Sequence, residues 1–286
     1  MAVHQGASQE PSKFLEVLAR GAIYALLVAL ALLCLIPFYS MIIASTHDSN
    51  AISTQLLLLP SDQFVANYDR LIDIVNIWRG FLHSLYITVT SVTLALYFSA
   101  LAAYGFAKYA FRFRTFLFAF VLATMMIPGQ LGIIGFFKFM GTLDLLNTYW
   151  PLILPSIANA FAIFFLRQVC DSSVPDELLE AARLDGASEV AIFHRMVLPL
   201  LGPSIAALAI FLFISKWNSF LEPLIIIFND DKQTLPVMVA LTKGQFRTDY
   251  GAQYVGVVVS VIPIVVIFAL ASRRIISGVT VGALKG

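Results

Sequence analysis

The chain has 286 residues, of which 59% are hydrophobic and only 12% are charged, and its mean hydropathy is +0.86. The charged fraction is about half that of an ordinary soluble domain, which excludes a soluble globular fold and predicts an all-α integral membrane protein. The formal net charge of +1 gives no support for nucleic acid as a partner, so the expected surroundings are the lipid bilayer.

Six segments are apolar for roughly 20 residues, the length that a transmembrane helix needs. They lie at about residues 17–43, 82–107, 115–139, 151–169, 201–228 and 254–272. The first is too long for a signal-peptide core and is expected to be a retained span. Lys and Arg are enriched in the segments that are cytoplasmic when the N-terminus is inside, so both termini are predicted to be cytoplasmic. The predicted divisions are a tail at 1–16, a first span with an outer loop at 17–81, a five-span core at 82–272 and a cytoplasmic C-terminal tail at 273–286.

The outer loop after the first span contains apolar residues at helical spacing. They are Phe64, Tyr68, Leu71, Ile72, Val75 and Trp78. Polar residues occupy the opposite side, a pattern typical of a helix that lies on the membrane surface with Tyr and Trp at the headgroups. The loop is therefore predicted to form an interfacial helix, with a contact to a protein partner as the alternative.

A polar segment at residues 171–200, between spans four and five, is too amphipathic to cross a bilayer. Pro175 suits a first helical position, and the acidic residues after it suit the positive end of the helix dipole. Gly186 supplies the positive φ angle that ends a helix, Ser188 can cap the next one, and Pro199 is expected to close it. The segment is predicted to form a two-helix elbow that either docks a partner or is a structural surface hairpin.

Span five contains an unusual polar run from Ser215 to Pro223. Ionisable groups at membrane depth are costly and usually face protein or water. On a continuous helix Lys216 and Glu222 would lie about 120° apart, so they are not expected to pair within it. Trp217 and Asn218 either line the path of a polar solute, by stacking and hydrogen bonding, or serve as an interfacial Trp and an interhelical hydrogen bond.

The chain carries no assembled catalytic set. Its four histidines fall in four separate regions, its two cysteines are far apart, and no nucleotide-binding or hydrolase motif occurs. No catalytic, cofactor-binding or metal-ligating residue is predicted, and ATP-driven work would need an ATPase on another chain. A self-contained carrier gated by Lys216 and Glu222 is the rival from another class, but no inverted repeat supports it.

The elbow also matches a family motif. Glu180-Ala181-Ala182, Asp185-Gly186-Ala187-Ser188, Phe193 and Leu198-Pro199 resemble the EAA loop of binding-protein-dependent ABC importer permeases. The resemblance extends over most of the chain. Within the family the chain is similar to the sugar-importing branch, which includes the smaller maltose-transporter permease. Further matching segments are Asn67-Tyr68, Phe106-Ala107-Lys108, Met126-Ile127-Pro128, Leu145-Leu146-Asn147-Thr148, Trp217-Asn218 and Gly278-Val279-Thr280.

The resemblance implies a six-span permease whose elbow is a coupling helix that seats in an ATPase subunit. The implied coupling residues are Glu180, Ala181, Ala182, Asp185, Gly186 and Ala187. The implied partners are a second, homologous permease, an ABC ATPase dimer that binds ATP and magnesium, and an extracytoplasmic solute-binding protein. That protein is expected to meet Lys232, Lys243 and Arg247. The expected solute is a carbohydrate, with a non-sugar solute as the alternative. His83 departs from the asparagine common in the family.

Overall fold

The computed structural model describes residues 13–242 and 249–283, with side chains from 17 to 242 and from 249 to 270. The described residues form helices and connecting loops. The α-helices are α1 (Lys13–Ser45), α2 (Ser49–Thr54), α3 (Phe64–Ile74), α4 (Ile77–Lys108), α5 (Arg114–Thr124), α6 (Ile133–Thr142), α7 (Trp150–Ile153), α8 (Ala160–Ser173), α9 (Asp176–Leu184), α10 (Glu189–Ile192), α11 (Leu198–Trp217), α12 (Leu221–Ile226), α13 (Leu235–Leu241) and α14 (Tyr250–Ala283).

Six spans are present when one bent pair of helices is counted as a single span. Five candidates each count as one span, and they are Val17–Ser45, Ile77–Lys108, Trp150–Ser173, Glu189–Trp217 and Tyr250–Leu270. The sixth consists of Arg114–Thr124 and Gly129–Thr142, which meet at 86°. The prediction of an all-α membrane protein with six spans is confirmed, but the helices run through the predicted boundaries at residues 16, 81 and 272. Hydropathy marks the apolar part of a helix, and the hydrogen-bond ladder continues beyond it.

Prolines interrupt two of the spans. Pro128 precedes a 3₁₀ segment at Gly129–Gly132 in the third span, and Pro155 lies in a 3₁₀ segment at Leu154–Ala158 in the fourth. Pro263, by contrast, lies inside the unbroken helix α14. Proline removes one backbone hydrogen-bond donor, but a membrane helix can continue through it where neighbouring helices pack around it.

The bundle is built around α4. Helices α8 and α11 pack against α4, and α14 packs against α11, α1 and α3. A continuous buried core runs through them from Leu71 in α3, through Ala100 in α4 and Leu166 in α8, to Leu179 in α9. Because this core joins α3 near one end of the bundle to α9 at the other, the two ends are mechanically connected by close packing.

The predicted helix in the outer loop is present at residues 64–74 and ends there, whereas its placement at the membrane surface stays a prediction. Trp78 belongs to α4, because Asn76 accepts a hydrogen bond from the N–H of Arg79 at 3.1 Å and caps a new helix there. Leu71 and Asn67 are fully buried, so α3 docks onto the bundle instead of only resting on lipid. Trp78 still contacts Tyr68, donating its indole N–H to the hydroxyl at 2.9 Å.

Candidate functional site: a polar elbow and a cavity at the helix breaks

The first half of the elbow is the helix α9, which has one buried and one exposed face. Pro175 is its N-cap, one position before the predicted one, and Asp176 and Glu177 occupy the first turn. Leu179 and Ala182 are buried against the bundle. Glu180, Ala181 and Asp185 are exposed, as is Leu184, whose side chain is 89% accessible. The exposed face therefore combines a carboxylate with an apolar knob, a surface suited to contact with another protein.

The turn of the elbow is a Schellman motif. Gly186 has φ of +82°, its N–H bonds to the carbonyl of Arg183, and the N–H of Ala187 bonds to the carbonyl of Ala182, both at 3.0 Å. Ala182 and Ala187 form the small apolar pair that usually accompanies this motif. The prediction of a positive φ at Gly186 is confirmed, and so is the cap by Ser188, whose hydroxyl accepts from the N–H of Ala191 at 3.3 Å.

The second half of the elbow is the start of span five, and the expectation that Pro199 closes it is wrong. The helix runs from Glu189 to Trp217. A π turn at Phe193–Val197 lies directly before Leu198, and Pro199 occupies one of the first two positions of the next α-helical stretch, where a missing N–H is tolerated. The second half of the elbow is therefore continuous with a membrane span.

Charged and aromatic groups hold the elbow to the end of α4. Arg183 donates from Nε to Glu189 Oε1 at 2.7 Å, and Tyr109 donates its hydroxyl to Glu189 Oε2. Tyr104 donates to the same Oε2 at 3.3 Å. The hydrogen bond to Glu189 raises the pKa of the Arg183 guanidinium above its usual value. At the other end of α9, Lys108 pairs with Asp176 at 2.8 Å.

A cavity of about 620 Å³ lies between the breaks in spans three and five. This volume is within the range of about 300–1,000 Å³ that is usual for ligand pockets. Its walls come from the 3₁₀ segment after Pro128, from α6, from the start of span four, and from the segment between α11 and α12. The lining residues are Gly129, Gln130, Gly132, Ile133, Phe136, Pro151, Pro155, Ser156, Lys216, Ser219, Phe220, Leu221 and Glu222. Irregular backbone at membrane depth is tolerated where it lines such a cavity.

Lys216 and Glu222 pair across a helix break, so the assumption that they lie on one continuous helix is wrong. Lys216 Nζ lies 3.3 Å from Glu222 Oε2. Helix α11 ends at Trp217 and α12 begins at Leu221, so the two residues are not on one continuous helix, and the helix-wheel angle does not apply. The pair lines the cavity as a nearly neutral, hydrogen-bonding unit.

Trp217 does not line the cavity, and its burial contradicts the alternative in which it stacks on a solute. Its side chain is 2% exposed, stacks on Phe213 at 5.6 Å between ring centroids, and donates its indole N–H to the carbonyl of Ser260 at 2.9 Å. Trp217 is a packing residue between α11 and α14. Asn218 is exposed at the break and donates to the carbonyl of Ile214 at 2.9 Å.

Sequence reasoning missed three polar residues of the cavity: Gln130, Ser156 and Ser219. For two of them the signal was the adjacent helix breaker, since Gln130 follows Pro128-Gly129 and Ser156 follows Pro155. Of the predicted outer cations, Lys232 is half-buried and donates to the carbonyl of Asn147 at 3.1 Å. Lys243 and Arg247 lie outside the described residues. Within the described part of the chain, no three His, Cys, Asp or Glu side chains are grouped as a metal site would require.

Comparison with known proteins defines the class of protein. The chain belongs to the family described as binding-protein-dependent transport system inner membrane component, which it matches over residues 95–280. The matched region runs from the middle of α4 through the elbow and the cavity to near the end of α14. The chain is accordingly a multi-pass protein of the cytoplasmic membrane.

Several known proteins are similar to this chain over most of its length. The chain is 36% identical to the arabinooligosaccharides transport system permease protein AraQ of Halalkalibacterium halodurans, over 90% of this chain and 93% of the relative. It is 32% identical to the trehalose/maltose transport system permease protein MalG of Thermococcus litoralis, over 95% and 99%. Its fold matches a chain of a bacterial ABC transporter involved in the import of the acidic polysaccharide alginate, with a TM-score of 0.79, 24% identity, and coverage of 92% and 98%.

Proposed function

We propose that the chain is one of two membrane subunits of an ATP-driven importer that takes up an oligosaccharide delivered by an extracytoplasmic binding protein. The single observation that supports this most is the exposed helix α9, joined through a short turn to a span whose long helix ends at the cavity. This arrangement links a cytoplasmic docking face to a solute-sized space. The ATPase activity, with its ATP and magnesium, would belong to partner subunits, and both termini of this chain would face the cytoplasm.

The coupling role is assigned to the predicted elbow residues. Glu180, Ala181 and Asp185 are exposed, and Gly186, Ala182 and Ala187 form the turn behind them. We assign Glu180 to the ATPase contact, because an exposed carboxylate on a rigid helix can pair with a basic residue of the partner. ATP binding would close the ATPase dimer, and the elbow would transmit the movement only if its contacts differ between the two states.

The substrate assignment rests on the relatives and on the character of the cavity. The Lys216–Glu222 pair cancels its own charge, and Gln130, Ser156 and Ser219 add neutral donors and acceptors. Such a lining suits an uncharged polyhydroxylated solute better than an anion such as phosphate, which would favour unpaired cations. We keep Asn218 as a further pathway residue because it is exposed at the same break. Lys232, Lys243 and Arg247 remain the proposed contacts with the binding protein.

Glu180→Gln tests the coupling role in the assembled complex in proteoliposomes. The expected result is loss of uptake and of solute-stimulated ATP hydrolysis, with normal insertion of the subunit. Asp69→Asn, which removes an exposed carboxylate from α3 outside the elbow, is the matched control and is expected to transport normally. Unchanged uptake in Glu180→Gln would overturn the assignment, and transport by this chain alone in liposomes would establish a self-contained carrier instead.

The substrate class is tested by copurifying the complex with its binding protein and identifying the bound solute by mass spectrometry. An oligosaccharide is the expected result. An amino acid or phosphate as the bound solute, with matching ATP-dependent uptake, would contradict the carbohydrate assignment and leave the importer assignment intact.

A further inference from the structure

The coupling helix α9 has covalent connections to two spans only. It follows α8 through Val174 and Pro175, and it leads through the Gly186 turn into the helix of span five. Both connections are short irregular segments about which a nine-residue helix can rotate. Helix α4, around which the bundle is built, has no covalent connection to α9.

Side-chain contacts make the missing connection at both ends of α9. Near its N-terminus, Asp176 pairs with Lys108, the last residue of α4, whose side chain is only 7% exposed. Near its C-terminus, Arg183 pairs with Glu189, which in turn accepts the hydroxyl of Tyr109, the residue directly after α4. Asp176 and Arg183 are separated by roughly 10 Å along the helix axis, at 1.5 Å per residue. Two contacts this far apart resist both sliding and rotation.

Both carboxylate oxygens of Glu189 accept hydrogen bonds at this junction. Oε1 receives Arg183 Nε, and Oε2 receives the hydroxyls of Tyr109 and Tyr104, with Arg183 Nη2 at 3.4 Å. The guanidinium also lies 5.8 Å from the centroid of the Tyr109 ring. Glu189 and Arg183 are thus turned toward each other and toward α4.

We propose that Arg183, Glu189 and Tyr109 form a clasp that fixes the coupling helix to the end of α4, so that one movement of α9 drives spans two and five together. The inference rests on the proposed function and deepens it. These are positioning residues: they act through the placement of α9 and do not touch the solute. With the clasp broken, α9 turns on its two short connections, and ATP is hydrolysed without an equivalent movement of the bundle.

The exposure of the ion pair makes the proposal testable without unfolding the protein. The side chains of Arg183 and Glu189 are 38% and 48% exposed, and pairs this exposed contribute little to folding stability. Their loss should therefore leave insertion and assembly unchanged. The measured quantity is the number of solute molecules taken up per ATP hydrolysed, which a purely structural role would not alter in correctly assembled complexes.

The experiment compares Glu189→Gln, Arg183→Gln and Tyr109→Phe with the charge-reversed pair Arg183→Glu/Glu189→Arg, all in the complete complex in proteoliposomes. Each single charge variant is expected to lower uptake per ATP by at least about fivefold, within the usual range of coupling between sites, while ATP hydrolysis continues. Tyr109→Phe is expected to lower it less, because the aromatic contact with Tyr104, at 5.2 Å between ring centroids, is kept. The reversed pair is expected to recover most of the loss.

Arg112→Gln is the matched control, since Arg112 lies in the same cytoplasmic turn and contacts the ring of its neighbour Phe113 at 4.9 Å. It is expected to keep the wild-type ratio. Single charge variants with a wild-type ratio of uptake to ATP hydrolysis would overturn the clasp, and so would a loss that the reversed pair fails to recover. A wild-type complex without ATP-coupled uptake would instead contradict the proposed function itself.

Discussion

A methyl group added at Gly251 should destabilise the packing of α14 against α3, because this glycine lies against the side chain of Asn67, which hydrogen bonds hold in place. A Cβ at this position would lie 2.7 Å from Asn67 Cγ and 2.9 Å from Nδ2, and would also meet Oδ1. Asn67 is fully buried and donates from Nδ2 to the carbonyls of Ser45 and His47, both at 2.8 Å. Oδ1 is the nearest atom, so relief of the overlap requires the amide to move by about 1 Å to reach a normal contact, which takes both hydrogen bonds beyond useful length.

The expected cost follows from those two bonds. Each is worth about 1 kcal/mol net, and more when a buried carbonyl is left unsatisfied, so Gly251→Ala should cost roughly 2–4 kcal/mol. Asn67→Ala loses the same bonds and also removes the clashing atoms. In the Asn67→Ala background, Gly251→Ala should therefore add little, which gives a coupling energy of about 2 kcal/mol in a double-mutant cycle.

The assay is the apparent melting temperature of the detergent-purified complex, followed by fluorescence-detected size exclusion. Each single variant should melt roughly 4 °C or more below the wild type, and the double variant should match Asn67→Ala. Gly21→Ala is the control, since no described atom lies within 4 Å of its added Cβ. Additive shifts in the double variant, or an unchanged melting temperature for Gly251→Ala, would refute the packing argument.

Three further substitutions test other parts of the structure. At Gly186, φ is +82° and no described atom lies within 4 Å of an added Cβ. Ala there should lower the stability by roughly 1–2 kcal/mol, and Asn by less. Uptake should therefore be highest with Gly, lower with Asn and lowest with Ala, and equal uptake by the Asn and Ala variants would contradict this. Burial alone would raise the pKa of Asp249, but hydrogen bonds from the Ala252 N–H, Arg70 and Ser49 outweigh it and hold the pKa below its ordinary value of 3.8. The stability that Asp249 contributes is therefore present above that value and lost as the pH falls through the lower folded-state pKa. The melting temperature of Asp249→Asn should be below that of the wild type at pH 7, and the two should converge in acid. A difference in melting temperature that does not change with pH would contradict this. Glu222→Gln should impair assembly of the subunit more than the double change Lys216→Met/Glu222→Leu, because a half-buried charge without its partner costs more than the loss of both. A double variant that assembles less well would contradict this.

The clasp and the cavity lie at opposite ends of the long helix from Glu189 to Trp217. The clasp joins α9 to α4, and the long helix from Glu189 to Trp217 carries the same movement to the break where the cavity lies. Residues at the break are held by local hydrogen bonds, such as Asn218 to Ile214 and Ser219 to Glu222. Local bonds of this kind permit rearrangement more readily than the close packing around Trp217.

The sequence by itself determined the membrane class, the six spans and the elbow. Those features depend on local properties: an apolar segment of sufficient length partitions into lipid wherever it occurs, and Gly186 with Ser188 ends one helix and begins another through contacts within a few residues. The family motif is likewise a run of neighbouring residues, and the match over residues 95–280 agrees with it.

Only the tertiary structure decided which polar groups meet. The break after Trp217 brings Lys216 to Glu222, which a continuous helical wheel places apart. Arg183, Glu189 and Tyr109 converge although Tyr109 is 80 residues from Glu189 in sequence. Trp217 is buried by Phe81 and Ser260, which come from two other helices. Hydropathy and periodicity describe one helix at a time, whereas these contacts depend on how the helices pack against one another.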